Sequence, residues 1–281
     1  MGQVAQFDST TQYIAVLKEP LWKFARLKRW ALNVSFHLGG VGLMARQLAN
    51  EAGNRWETSE IIRQMDALGV QSISITSLTA LFTGMVLALQ TAYALAQFGG
   101  KTFVGRVVVL SICRELGPTL TALMVAARVG SGITAELGTM SVTEQVDAMR
   151  ALGASPIRKL VLPRVVAVTL MLPVLTLLAD FLGMVGGLLI AVVEVNVGAT
   201  FYLSTVQQSV HVNDVLHGLF KTPFFGFEIA MIGCYNGLNA SGGADGVGRA
   251  TTIAVVVASI AVLMSDFFLT KLFIVLNLGF Q

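Results

Sequence analysis

The sequence predicts an all-α integral membrane protein, and three observations lead to this prediction. Hydrophobic residues make up 54% of the 281 residues. Charged residues make up only 12%, compared with about 25% in soluble domains. The apolar residues form five runs, each long enough to cross a bilayer as a helix of about 20 residues. A net charge of +3, spread over loops, does not provide the basic surface that binding of nucleic acid requires.

The N-terminal region, residues 1–56, is predicted to contain a polar lead and one helix at the membrane surface. Residues 20–30 combine Trp and Phe with four basic side chains, a composition typical of the membrane interface. Residues 31–52 are mildly apolar, and the sequence leaves open whether they enter the bilayer. A membrane domain follows over residues 57–281. It begins with a short helix that Gly69 is expected to end.

Five membrane spans are expected in this domain. They cover about residues 72–98, 107–130, 165–193, 214–239 and 250–276. Lys and Arg collect in the cytoplasmic segments of membrane proteins. A cytoplasmic N-terminus leaves thirteen basic residues inside and only Lys101 and Arg106 in the outside loops, so it predicts an outward C-terminus. Glycines at the spacings of close helix packing are Gly183, Gly186, Gly187, Gly233 and Gly237.

A polar helix is predicted at about residues 141–153, on the cytoplasmic side between the second and third spans. Ser141 or Thr143, followed by Glu144, gives the capping signature of a helix start. Gly153 gives the stop, because glycine readily adopts the left-handed conformation that ends a helix. The segment is either a solvated connection between two spans or a helix that docks onto a soluble partner.

The sequence of this polar helix favours the second interpretation. Glu144, Asp147 and Arg150 are three residues apart and fall on one side of the helix. The segment resembles the cytoplasmic coupling loop of ABC importers, in which Glu-Ala-Ala is followed by three residues and a Gly. Here Asp-Ala-Met at 147–149 precedes Gly153 at that spacing. We therefore expect this helix to dock onto an ATPase.

No nucleotide site is expected in the chain itself. The run Gly99-Gly100-Lys101-Thr102 is similar to the end of a phosphate-binding loop. The Gly that such a loop requires five residues before Gly100 is replaced by Leu95. We therefore expect no cofactor and no catalytic residue, and ATP with Mg²⁺ would bind a separate ATPase subunit. The three His residues lack the spacing of metal ligands, so no metal is expected either.

The first span carries a polar stripe that falls within about a sixth of a turn of the helix. Its members are Ser72, Thr76, Thr79, Thr83, Gln90 and Gln97. Helix packing through small polar side chains explains the Ser and Thr residues. A Gln in the middle of a span more often faces a cavity or a polar ligand, so both interpretations stay open.

Ionisable residues occur within the later spans, where each costs several kcal/mol unless it meets a partner or a wet cavity. Asp214, Lys221 and Glu228 are spaced by seven and share a face of the fourth span, unless Pro223 kinks that helix. Asp180 in the third span has no evident partner in the sequence.

Four of the ionisable residues fall in the outer half of the membrane under the predicted topology. They are Arg114, Glu115, Lys221 and Asp266. Two acids and two bases at similar depth can compensate each other. They form either a structural lock between helices or a polar patch that receives the head group of an amphiphile, and the sequence supports both.

Several blocks of the sequence resemble the MlaE/YrbE permease family. They are GMVL at 84–87, RELGP at 114–118, RVG at 128–130, AELG at 135–138, TEQ at 143–145, YNG at 235–237 and GRATT at 248–252. The resemblance extends over about residues 60–276. It implies a permease subunit of an ABC transporter in the inner membrane of a Gram-negative bacterium, with a periplasmic C-terminus and residues 57–281 as the permease domain.

The resemblance also implies a substrate and partners. In that family the permease is a homodimer that pairs with two ABC ATPase subunits inside and a ring of periplasmic MCE-domain proteins outside. A small STAS-type protein often joins the ATPase. The substrate class is glycerophospholipid, moved between the inner and outer membranes to maintain the lipid asymmetry of the outer membrane.

Particular residues acquire roles from the same resemblance. The family's charges near the outward lipid pocket correspond to Arg114, Glu115, Lys221 and Asp266. The border of that pocket corresponds to Leu87, Gln90 and Leu116. The helix that docks into the ATPase carries the residues that correspond to Glu144, Asp147 and Arg150.

Two other functions are compatible with the sequence. A secondary transporter driven by an ion gradient would use Asp180, Glu228 and Asp266 as ion sites. It predicts an internal repeat, which the five spans do not display. A membrane scaffold for a periplasmic lipid-binding ring would transport nothing, and it predicts that Glu144 and Asp147 are dispensable. The direction of lipid movement and the head-group preference stay open.

Overall fold

The structure is a computed structural model that describes residues 39–51, 53 and 57–276. Every regular element within these ranges is helical. The first described helix, α1, covers residues 39–51. The surface helix predicted at residues 20–30 lies outside the described residues.

The contacts divide the chain into two units, Met1–Arg46 and Gln47–Gln281. Within the first unit the described residues are helical and belong to α1. The second unit contains all the predicted spans. Residue 56, where the sequence predicts the boundary of the membrane domain, lies outside the described residues, so that boundary stays a prediction.

Five helices of the second unit are long and apolar enough to cross a membrane. In chain order, with the two shorter helices between them, the elements are α2 (Thr58–Ala96), α3 (Val104–Val142), α4 (Gln145–Ala151), α5 (Ile157–Val193), α6 (Ala199–Ser209), α7 (Val212–Leu238) and α8 (Gly243–Val275). The predicted all-α membrane fold with five spans is confirmed.

Two ion pairs gather several helix ends on the side of the bundle that carries α4. Lys159 Nζ lies 2.5 Å from Glu57 Oε1, which joins the first turn of α5 to the residue before α2. Arg164 pairs with Glu136 at 2.7 Å, which joins α5 to the last part of α3. We call this side the α4 end.

The opposite side, the α6 end, is held by Tyr202 of α6, which is buried. Its ring packs against Gly105 at the start of α3, and its hydroxyl reaches Gly187 near the end of α5. Burial raises the pKa of the Tyr202 phenol to about 12. The phenol therefore stays neutral where it anchors α6 across α3 and α5.

Helix α2 begins earlier than the predicted span, because Gly69 does not end the short helix before it. The chain continues through a π turn, Met65–Gly69, and a 3₁₀ turn, Val70–Ser72, into Ile73–Ala96. A β-carbon on Gly69 would collide with the side chain of Met171 on α5. This glycine therefore allows close packing inside a long helix, and the predicted stop is wrong.

Helix α3 is also longer than predicted and continues past residue 130. Its α-helical segments, Val104–Ser111, Gly117–Val125 and Ser131–Val142, are joined by π turns at Ile112–Leu116 and Ala126–Gly130. Gly130 lies inside the helix, and a β-carbon on Gly233 of α7 would lie 3.1 Å from its carbonyl oxygen. Here too, the glycines permit helix contact and do not break the helix.

Glycines also bring α2 and α5 into backbone contact. A β-carbon on Gly84 would overlap the carbonyl group of Gly183, and one on Gly186 would overlap the carbonyl oxygen of Leu81. On the other side of the bundle, a β-carbon on Gly237 of α7 would lie 2.8 Å from the β-carbon of Leu137. The close packing predicted from these glycine spacings is confirmed.

Helix α7 runs without interruption through Pro223, which lies inside it. Proline cannot donate to the carbonyl oxygen four residues earlier, here that of Leu219. The hydroxyl of Thr222 donates to this oxygen at 2.8 Å. Asp214, Lys221 and Glu228 therefore lie on one continuous helix, as their spacing by seven requires if they are to share a face.

We expect Gly84→Ala to lower the thermal stability of the purified protein, although alanine is the better helix former. The new methyl group would meet the backbone of Gly183, which cannot rotate away, and overpacking of this kind typically costs about 1–3 kcal/mol. The measurement is the thermal midpoint in detergent. Gly132→Ala is the matched control, because no atom lies within 4 Å of its β-carbon position. Equal midpoints for the two variants would contradict the close approach.

Candidate functional site

The side chain of Lys221 on α7 is fully buried, and its ammonium group lies among four oxygen atoms. Nζ lies 2.8 Å from Glu115 Oε2 on α3 and 3.1 Å from Asp266 Oδ1 on α8. It also donates to Thr270 Oγ1 at 2.7 Å and to the backbone carbonyl of Arg114 at 3.2 Å. Three spans meet at this one cation. We call Glu115, Lys221, Asp266 and Thr270 the lysine cluster.

The backbone of α3 is irregular where it meets Lys221. In an α-helix the carbonyl of Arg114 would accept the N–H four residues later, but that residue is Pro118, which has none. The π turn Ile112–Leu116 lies directly before it. The ammonium of Lys221 provides a donor to this carbonyl, so the lysine satisfies a backbone oxygen as well as the two carboxylates.

The side chain of Arg114 pairs with Asp214, which is not a member of the lysine cluster. Its Nε donates to Asp214 Oδ1 at 2.8 Å, on the first turn of α7. Asp214 also accepts the backbone N–H of His211 at 2.9 Å and so caps α7. A carboxylate at a helix N-terminus is favoured by the helix dipole. The sequence placed Asp214 on the stripe with Lys221 but did not identify it as a partner of Arg114.

The two groups together contain two cationic and three anionic side chains. Lys221 and Asp214 are buried, with side chains 0% and 4% exposed, whereas Arg114 is 27% and Glu115 is 40% exposed. The structure therefore brings together Glu115, Lys221 and Asp266 of the four predicted charges and sets Arg114 beside them. The exposed parts of Arg114 and Glu115 give the set access to the surface of the chain.

A further polar contact joins α7 and α8 next to the cluster. Ser265 donates to Glu228 Oε2 at 2.8 Å. The three charges spaced by seven on α7 therefore have different partners: Asp214 meets α3, Lys221 meets α3 and α8, and Glu228 meets α8.

A narrow pocket with an enclosed volume of about 20 Å³ lies between α2, α3 and α5, and we call it the cavity. Its α2 side is lined by three threonines of the predicted stripe, Thr76, Thr79 and Thr83. Its α3 side is lined by apolar residues that include Leu116 and Leu120. Leu116 directly follows Glu115 of the lysine cluster. The walls are apolar except for hydroxyl groups, which suits a hydrocarbon chain better than a charged group.

The other members of the stripe and of the predicted pocket border lie elsewhere. Ser72 accepts a hydrogen bond of 2.6 Å from Arg128 of α3. Leu87 packs against a buried apolar cluster that includes Val104 and Val108. Gln90 is exposed on the single chain. Of the three predicted border residues, only Leu116 lines this cavity.

Helix α4 is shorter than predicted, and its predicted cap does not form. Ser141 lies in the last turn of α3 and donates to the carbonyl of Leu238 at 3.2 Å. Glu144 is the residue before α4, in a left-handed conformation with φ of 61° and no side-chain cap. The continuation of α3 to Val142 takes the serine away from the new helix. The stop at Gly153, with φ of +77°, is confirmed.

Helix α4 presents charged side chains to the solvent. Glu144, Asp147 and Arg150 are all exposed, and Arg150 donates to Asp147 Oδ1 at 2.8 Å. Val146 is 3% exposed and anchors the helix, whereas Leu152 just after it is 85% exposed. A large apolar side chain projecting from a charged helix is suited to entering a groove on a partner.

No group of three or more His, Cys, Asp or Glu side chains that could hold a metal ion occurs in the described part of the chain. Cys113 and Cys234 are free thiols in buried positions.

Comparison with known proteins gives the family. Residues 61–272 match the family model described as Permease MlaE. A probable ABC transporter permease protein of Rickettsia felis is 46% identical over 215 residues, which are 76% of this chain and 83% of that protein. A probable ABC transporter permease protein of Synechocystis is 48% identical over 219 residues, 78% of this chain and 82% of that protein.

The intermembrane phospholipid transport system permease protein MlaE of Haemophilus influenzae is 40% identical over 213 residues, which are 75% of this chain and 82% of that protein. The matched residues include α4, the three middle spans and nearly all of the first and last spans. The chain belongs to the MlaE permease family and is a multi-pass membrane component of an ABC transporter.

Proposed function

We propose that the chain moves glycerophospholipids between the inner and outer membranes, and so maintains the lipid asymmetry of the outer membrane. The observation that carries this proposal is the partly exposed charge set at Arg114 and Glu115 beside an apolar cavity. A phospholipid has a charged head and hydrocarbon chains, and the two features suit these parts separately. The name of the Haemophilus influenzae relative supports the same substrate class.

The lysine cluster and the cavity wall suggest how a lipid would be held. The exposed edges of Arg114 and Glu115 would contact the head group, and Leu116 would border the acyl chains in the cavity. Leu87 and Gln90 lie further toward the α6 end on α2, where they would extend the same path. Lys221 and Asp266 would set the electrostatic environment of the head group.

The energy would come from an ATPase subunit docked at α4, and the α4 end would then lie in the cytoplasm. The distribution of Lys and Arg supports this orientation. Glu144, Asp147 and Arg150 would form the polar part of the contact, and Leu152 would form its apolar part. ATP and Mg²⁺ would bind the ATPase, and this chain would contribute no nucleotide site.

The remaining partners follow from the family resemblance. Two copies of the chain would form a homodimer with the lipid path between them. A ring of periplasmic MCE-domain proteins would receive or deliver the lipid at the α6 end, and a small STAS-type protein would accompany the ATPase.

The proposed cycle uses α3 as a mechanical link. This helix runs from the α6 end past the lysine cluster to Val142, three residues before α4. Closure of the ATPase would move α4 and thereby the lower part of α3. The cavity beside Leu116 would narrow, and the lipid would pass to or from the periplasmic partner.

The test of the whole assignment is purification of the tagged chain from native membranes in mild detergent. Proteins and lipids that co-purify are identified by mass spectrometry. An ATPase and an MCE-domain protein at constant stoichiometry, with bound phospholipid, are the expected result. A chain that purifies alone and transports under an ion gradient in liposomes would instead support a secondary transporter.

We expect the variant carrying Asp147→Ala and Leu152→Asp to uncouple lipid transport from ATP hydrolysis. Both side chains are exposed on or next to α4, and an aspartate in a desolvated groove leaves an unpaired charge in the contact. Transport by the reconstituted complex should fall by at least about tenfold, the effect of losing roughly 1.4 kcal/mol or more of coupling. The measurements are lipid transfer and ATPase activity.

Asp66→Ala is the control for this experiment, because Asp66 is exposed near the start of α2 and has no place in the proposed contact. It should leave both activities unchanged. Undiminished transport by the α4 variant would exclude the coupling role proposed for α4.

We expect Lys221→Met to destabilise the protein strongly. The substitution leaves Glu115 and Asp266 without their shared cation. Loss of one partner from a fully buried ion pair costs about 3–5 kcal/mol, and the cost here should be lower because the Glu115 side chain is 40% exposed. The triple variant Glu115→Gln, Lys221→Met, Asp266→Asn removes the unpaired charges and should recover much of the stability. The measurement is the thermal midpoint in detergent, with Lys271→Met as the exposed control.

The triple variant also separates the two interpretations of the cluster. A purely structural lock predicts that transport returns together with stability. A head-group site predicts a stable protein whose bound phospholipid and transport remain low. Recovery of wild-type lipid occupancy in the triple variant would exclude the head-group role.

A further inference from the structure

Asp180 is a buried acid in the middle of a membrane span without a visible partner. Its residue is 4% exposed within α5. Oδ1 has no hydrogen-bond partner among the described residues, and no salt bridge within them includes this side chain. A lone carboxylate inside a bilayer costs several kcal/mol. The carboxyl group therefore requires either a proton or a partner.

The carboxyl group occupies a notch in α3 that only glycine leaves open. A β-carbon on Gly117 would overlap Oδ1 of Asp180. The same position lies 3.0 Å from the carbonyl oxygen of Ile112. The Asp180 carboxyl and this carbonyl therefore border the same small space at the surface of α3.

The notch lies at the end of the π turn Ile112–Leu116. The N–H of Gly117 donates to the carbonyl of Ile112, which is the bond that closes the π turn. A carbonyl oxygen has a second lone pair and can accept another hydrogen bond. An ionised Asp180 would only add another acceptor at this point, whereas a protonated one supplies the missing O–H donor.

This π turn carries both charged residues of α3 that enter the candidate site. Arg114 reaches Asp214, and Glu115 reaches Lys221. A π turn inserts an extra residue into the helix and turns the following side chains, so its register decides where these two groups point.

We propose that Asp180 is a positioning residue that stays protonated, donates its O–H to the π turn at Ile112 and so fixes the directions of Arg114 and Glu115. Within the described residues, no hydrogen bond or ion pair joins Asp180 to the lysine cluster. It acts through the backbone of α3. The transport assay that tests this inference rests on the proposed function, whereas the measurement of coupling between Glu115 and Lys221 does not.

The test compares Asp180→Asn with Asp180→Leu in the full complex. Asparagine keeps the shape and a neutral N–H donor, whereas leucine keeps the branching of the side chain, with two larger methyl groups, and removes the donor. We expect the asparagine variant to transport phospholipid at nearly the wild-type rate. The leucine variant should lose about tenfold or more, as misplacement of groups in a site commonly does.

A second measurement reads the position of Glu115 without any assay of transport. A double-mutant cycle of Glu115→Gln and Lys221→Met, scored by thermal midpoints, gives the coupling between these two residues. The coupling should persist in the Asp180→Asn background and shrink toward zero in the Asp180→Leu background. This result would stand even if the transported substrate were not a phospholipid.

Gly117→Ala provides an independent variant, should Asp180→Leu fail to accumulate in membranes. Its methyl group would displace the Asp180 carboxyl and should weaken the Glu115–Lys221 coupling in the same way. Combination with Asp180→Ala opens the space again, so the loss of stability should be less than additive.

Loss of transport in Asp180→Asn as severe as in the leucine variant would overturn the inference, because the acid itself would then be needed. Unchanged coupling in both Asp180→Leu and Gly117→Ala would overturn it as well.

Discussion

The buried ammonium of Lys221 is the constraint on which the arrangement of α3, α7 and α8 depends. A fully buried cation must be surrounded by oxygen atoms, and those around it come from α3, from α8 and from the backbone of α3 itself. This requirement sets the three spans at one depth relative to one another. Apolar contacts within a membrane do not specify depth so narrowly, because lipid tails are as apolar as the side chains they replace.

The irregular backbone of α3 is the counterpart of this cation. Pro118 and the π turn before it remove regular hydrogen bonds in a place where no water can replace them. The carbonyl of Arg114 is satisfied by Lys221. The inference for Asp180 assigns a similar task to a second polar side chain at the carbonyl of Ile112. In both cases the polar side chain would have the same role inside the membrane, which is to donate a hydrogen bond to a main-chain oxygen.

The two ends of the molecule are connected through long helices. Helix α3 extends from Tyr202's contact at the α6 end to the turn before α4, and Arg164 ties its last part to α5. Rigid helices that reach both the charged site and the exposed α4 offer a direct path for motion. The glycine contacts between α2 and α5 hold these two helices together as the cavity wall opposite α3, so a shift of α3 relative to that wall would change the size of the cavity.

The sequence by itself determined the fold class, the number of spans, the close-packing glycines and the residues that carry charge into the membrane. These properties follow from composition and periodicity, which are local. It did not determine that Gly69 continues a helix, that Ser141 belongs to α3, or that Arg114 pairs with Asp214. Each of these depends on which helix lies against which, and at what register, between segments that are often about a hundred residues apart along the chain. Only tertiary packing fixes that register, because the same glycine, serine or arginine is equally compatible with several partners until the neighbouring helix is in place.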